Sequence, residues 1–74
     1  MNASKRFAVM IENVNTNIWT VSIRDREKNI ITPILIADKI DHANRKKIII
    51  LDDLLIMESF DFQEKWLKGG LENV

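Results

Sequence analysis

Apolar and polar residues alternate in two stretches near the start of the chain. Within residues 6–12, Phe7, Val9 and Ile11 fall on one side and Ala8, Met10 and Glu12 on the other. Within residues 18–24, Trp19, Val21 and Ile23 oppose Ile18, Thr20, Ser22 and Arg24. Period-two alternation rich in β-branched and aromatic residues predicts half-buried strands. Between them lies the turn-forming run Asn13-Val14-Asn15-Thr16-Asn17. Pairing Ile11 with Trp19, Val9 with Val21 and Phe7 with Ile23 puts all six on one face, whereas a one-residue slip sets that face against Glu12 and Ala8. This register implies a loop of three or five residues, five being preferred because asparagine tolerates left-handed backbone better than Thr16 does.

The polar run Asp25–Asn29 reads as a second turn, followed by Ile30–Ala37, whose β-branched density predicts a third strand. Pro33 lacks an N–H, so that strand must be an edge strand or carry a bulge. The competing reading makes Thr32 an N-cap and Pro33 the first residue of a helix to Asn44, but it strands Ile34 and Leu35 off the apolar face. Residues 38–45 suit a short helix, and Lys47–Leu51 reads as a strand buried on both sides.

Residues 52–69 read as one amphipathic helix. Asp52 is the expected N-cap, Asp53 lies in the first turn, and Gly69 is the stop. Leu55, Ile56, Phe60, Phe62, Trp66 and Leu67 share one half of the wheel, while Asp53, Glu58, Asp61, Glu64, Lys65 and Lys68 take most of the other. A second reading splits this segment into a strand at Leu54–Met57 and a shorter helix from about Asp61. Residues 70–74 read as a short flexible tail. The predicted fold is α+β: a small antiparallel sheet of three to four strands with the C-terminal helix packed on one face, in one domain spanning residues 1–74.

Composition sharpens this picture in one respect. A 74-residue chain buries a small fraction of its surface. Cysteine is absent, so disulfide and thiolate-metal staples are excluded, and a single histidine argues against a zinc site. Oligomerisation is the remaining usual remedy, so a homodimer or higher assembly is expected. Within the helix, Phe60 and Leu67 lie at one edge of the apolar sector and are assigned to the sheet. Phe62 and Trp66 lie at the other edge and, with Met57, are the candidate partner-binding residues.

Eleven basic and eleven acidic residues cancel, which removes any global attraction to nucleic acid or anionic membrane. The densest basic cluster, Arg45, Lys46 and Lys47, together with Arg24 and Arg26, is the candidate nucleic-acid patch. His42 near Asp38 and Asp41 suggests proton transfer, and Asp52 with Asp53 suggests a magnesium site, but capping and solvent exposure explain these residues without chemistry. Neither a phosphate loop nor a nucleophile motif is present, and no cofactor or metal is expected. No signal-peptide core or apolar run of membrane-spanning length occurs, so a cytoplasmic protein is expected, with no membrane association. Abundant isoleucine and asparagine with only two glycines suggests an AT-rich gene, as in low-GC bacteria, phages or plasmids. The functional expectation is a small non-enzymatic protein-binding module, such as an inhibitor, adaptor or antitoxin-like regulator. Nucleic-acid binding is the alternative.

Overall fold

The computed structural model describes residues 1–73. Its elements are α1 (Ala3–Arg6), β1 (Phe7–Asn15), β2 (Ile18–Asp25), β3 (Ile30–Ala37), α2 (Ile40–Ile56), α3 (Ser59–Trp66) and β4 (Glu72–Asn73). The fold is α+β. The four strands lie in the order β1-β2-β3-β4, the first three antiparallel and β4 parallel to β3. The sheet is therefore mixed, and Glu72 and Asn73, read from sequence as tail, pair with Leu35 and Ile36. Gly70, at φ 81°, takes a left-handed conformation between α3 and β4 that a residue with a Cβ rarely adopts.

The alternation of β1 and β2 survives, but their register differs by two residues from the sequence expectation. Val9 pairs with Ile23, Ile11 with Val21, and Asn13 with Trp19. A shift of two keeps every side chain on its predicted face, so hydrophobic patterning alone cannot distinguish the two registers. The loop shrinks accordingly to a Thr16-Asn17 turn, with a bulge between Asn13 and Asn15. Positive φ occurs at Asn29 instead, where the β2–β3 turn closes. In β3 the proline has the predicted consequence. Leu35 faces Val21 and Pro33 faces Ser22, leaving Ile34 as the extra residue of a bulge.

The largest departure lies in the second half of the chain. Lys47–Leu51 is not a strand, Asp52 is not an N-cap, and residues 52–69 are not one helix. All of 40–56 is helical, capped at Lys39 without a side-chain hydrogen bond. Ala43, Ile50 and Leu54 are buried at a spacing of seven and four residues, which is one helical stripe. That stripe crosses β1, β2 and β3. Its burial outweighs the modest helix penalty of three consecutive isoleucines, a few tenths of a kcal/mol each.

The helix breaks at Met57 and Glu58, both extended. The N-terminal segment occupies the break. Ala3 N–H donates to Met57 O (3.0 Å), Ser59 N–H donates to Met1 O (3.0 Å), and Asn2 Nδ2 reaches Leu55 O (2.9 Å). These bonds replace the helical partners that the interrupted turn loses. After the break α3 turns its opposite side inward. Phe62 is fully buried and stacks on Phe7 with ring centroids 5.2 Å apart, whereas Phe60 is 69% exposed.

The assignment of the two phenylalanines made from a continuous helix is thus reversed, while Leu67 packs against the core as expected, and the energetics follow. Phe62→Ala removes a buried ring and should cost about 3–5 kcal/mol, enough to unfold a domain this small. Phe60→Ala should stay folded, with a urea midpoint close to that of the parent chain. Circular dichroism with urea denaturation checks both.

Candidate functional site

Two buried carboxylates organise the surface. Asp25, at the end of β2, accepts from Arg6 Nε (3.1 Å) and Nη2 (2.9 Å), and from the main-chain N–H groups of Glu27 (3.0 Å) and Lys28 (3.2 Å). The Arg6 hydrogen bonds hold its carboxyl below the usual carboxylate range, aided by the two backbone donors and opposed by burial. Asp53, in α2, accepts from Lys65 Nζ (2.7 Å) and Trp66 Nε1 (2.9 Å). Its carboxyl is likewise lowered, chiefly by Lys65 and then by Trp66, against desolvation.

The second cluster decides the fate of Trp66. Its indole N–H is committed to Asp53, and its ring is flanked by the ammonium groups of Lys46 (5.6 Å) and Lys65 (5.4 Å). Lys46 also pairs with Glu72 of β4 at 3.2 Å. Of the residues assigned to a partner from sequence, Phe62 is in the core, Trp66 is half-buried in this clamp, and Met57 is half-buried against the core. None presents a free apolar face.

The exposed apolar surface lies elsewhere. On α2, Ile48 (60%), Leu51 (41%), Leu55 (68%) and Ile56 (77%) are exposed, and exposed Phe60 lies just past the helix break. Ile48, Leu51 and Leu55 recur at three- and four-residue spacing, a second helical stripe about 110° around the axis from the buried one, on its β1 side. With Ile56 and Phe60, five large apolar residues are left in water on this helix and at the start of the next. Sequence reasoning put Leu55, Ile56 and Phe60 on an apolar helix face but missed Ile48 and Leu51, because it read Lys47–Leu51 as a strand. The signal was nonetheless present: once 40–56 is taken as one helix, the isoleucines and leucines fall on both of its sides.

The candidate nucleic-acid residues do not converge. Arg45, Lys46 and Lys47 are consecutive on a helix, so they fan out at about 100° intervals around its axis. Lys46 is engaged by Trp66 and Glu72. Arg24 lies in β2 on the face opposite Ile23, away from α2, and bonds Asn29 (3.3 Å); Arg26 bonds Ser4 O (3.0 Å). His42 has its Nδ1 3.9 Å from Asp38 Oδ1, beyond hydrogen-bond range. Asp52 and Asp53 sit near the C-terminal end of α2, and Asp53 is already satisfied by Lys65 and Trp66. Among the described residues no group of three or more His, Cys, Asp or Glu could hold a metal ion, and no helix is long and apolar enough to cross a membrane. No family model, curated protein or solved structure matches the chain.

Asp25 and Asp53 make stability depend on acid. A carboxyl whose pKa is lower in the folded than in the unfolded chain adds stability wherever both states are ionised, above about pH 4. That contribution declines as pH falls through the folded value. The urea midpoint should therefore hold from neutral pH to about 5 and drop below about 4. Asp53→Asn should lower the neutral-pH midpoint and flatten the acid limb. A parent-like midpoint and acid limb in this variant would show that the clamp adds nothing.

Proposed function

We propose that this chain is a small protein-binding module without catalytic activity, of the kind that serves as an inhibitor, adaptor or antitoxin-like regulator. It binds through the apolar strip on the outer side of α2 and the start of α3. The observation that carries this reading is the exposure of Ile48, Leu51, Leu55, Ile56 and Phe60 on adjoining turns of a well-anchored helix pair. Leaving such a strip in water is unfavourable, whereas covering it contributes about 25 cal/mol per Å² before the costs of association are deducted. The clamp at Asp53 and the Phe7–Phe62 stack hold α2 and α3 in place, so the strip is presented without an ordering cost at binding. Nucleic-acid recognition has less support, because the net charge is zero and the basic side chains point to different sides of the molecule.

The test is a photo-crosslinking amino acid placed at Ile56 in the full chain, expressed in its native cells, with Lys28 in the β2–β3 turn as the control position. A defined protein adduct should form from position 56 and not from position 28. It should disappear when Phe60→Glu is added, while circular dichroism stays unchanged. Equal adducts from both positions, or none from position 56, would remove the strip from consideration.

A further inference from the structure

β1 is the border strand of the sheet, and one hydrogen bond shows which of its main-chain groups are free. Arg26 N–H donates to Arg6 O at 2.9 Å, and the register continues as Phe7 with Asp25, Ala8 with Arg24 and Val9 with Ile23. Hydrogen-bonded and non-hydrogen-bonded pairs alternate along an antiparallel ladder. Ala8, Met10 and Glu12 therefore exchange hydrogen bonds with β2. Val9 and Ile11 turn both N–H and C=O outward, beside the outward C=O of Phe7, whose N–H is taken by Ala3 O.

Natural sheets guard such an edge with proline, lysine, short length or a covering segment. The opposite border does so, with Pro33 at a bulge and β4 laid along Leu35 and Ile36. β1 spans nine residues with neither proline nor lysine; its single charge is Glu12, and its bulge lies only at the far end. Beside the open edge runs an apolar groove of about 240 Å³, walled by Phe7 and Val9 on the sheet side and by Leu51, Leu54 and Leu55 of α2. The open ladder and the exposed leucines thus border the same groove.

We propose that a second copy of this chain docks here, pairing β1 with its counterpart antiparallel across a two-fold axis. The result is one continuous sheet with both α2 helices on the same face, and Leu51 and Leu55 of each copy close over the joint. The proposal rests on the protein-binding reading and names the partner. A two-fold contact brings the same patch to itself, so an edge with free donors and acceptors and an apolar rim supplies its own complement. Seven residues of strand are about 24 Å long, and a specific interface needs at least about 600 Å² per copy, so the leucines of α2 must add to the strand edge. Charge agrees with this geometry. With the two-fold near Met10, the two Glu12 side chains lie at opposite ends of the contact, each towards the face that carries the other copy's Arg24.

Sedimentation equilibrium and amide hydrogen exchange on the isotope-labelled full chain, from low micromolar to millimolar concentration, test the proposal. A species of twice 8.6 kDa should appear with rising concentration. The Val9 and Ile11 amides should then exchange at least about tenfold more slowly, whereas the Met10 amide, bonded to β2, stays protected throughout. Leu51→Glu and Leu55→Glu should remain folded by circular dichroism, sediment as monomers and leave the Val9 and Ile11 amides fast. A monomer at millimolar concentration would overturn the proposal while leaving crosslinking at Ile56 to judge the protein-binding reading. A dimer in which Val9 and Ile11 stay unprotected would overturn it too, as would a dimer indifferent to both glutamate substitutions.

Discussion

The carboxylate of Asp53 determines how the second half of this molecule is arranged. It sits in the last turn of α2, largely shielded from water, where an unpaired charge would be expensive. Lys65 and the Trp66 indole satisfy it from α3, which ties the end of α3 to the last turn of α2. In this arrangement Phe62 stacks on Phe7 and Phe60 lies in solvent. The same arrangement encloses Trp66 between two lysines, one of which reaches on to Glu72 and so to the last strand. A single buried acid therefore links helix packing, the core aromatic pair and the far edge of the sheet.

Asp25 plays the corresponding part in the first half. Its fork with Arg6 ties the start of β1 to the end of β2, and its two main-chain acceptor contacts shape the turn into β3. Both acids lie at places where the backbone changes direction or partner, and both need their counter-charge because burial has removed water. Small chains without disulfides or metals have few other ways of holding element ends together.

These constraints leave the fold with more apolar side chain than one sheet face can cover. One side of α2 packs across β1, β2 and β3 and the other remains in solvent with Ile48, Leu51, Leu55 and Ile56. The same layout leaves β1 as an open edge beside the two leucines of that outer stripe. Surplus apolar area and unpaired main-chain groups therefore meet along one border of the molecule, which is the physical basis for reading it as a binding protein.

Local pattern alone determined much of the first half of this protein: two alternating strands with Phe7, Val9, Ile11, Val21 and Ile23 on one face, and the α+β class, while a third strand bulged at its proline was one of the readings it left open. Such features depend on side-chain parity and on the covalent geometry of proline, both of which are written residue by residue. Parity cannot see a register shift of two, so the hairpin pairing needed the bulge between Asn13 and Asn15. Tertiary structure decided the second half. Whether Lys47–Leu51 joins a sheet or a helix depends on which surface is there to receive it, and three strands already in place receive a helical stripe. Whether α2 continues into α3 depends on residues 1–3, more than fifty positions away, whose main chain bonds Met57 and Ser59 and whose Asn2 side chain bonds Leu55 O. The candidate surface inherits that dependence, because the exchange of Phe60 and Phe62 between solvent and core follows from the break between the two helices.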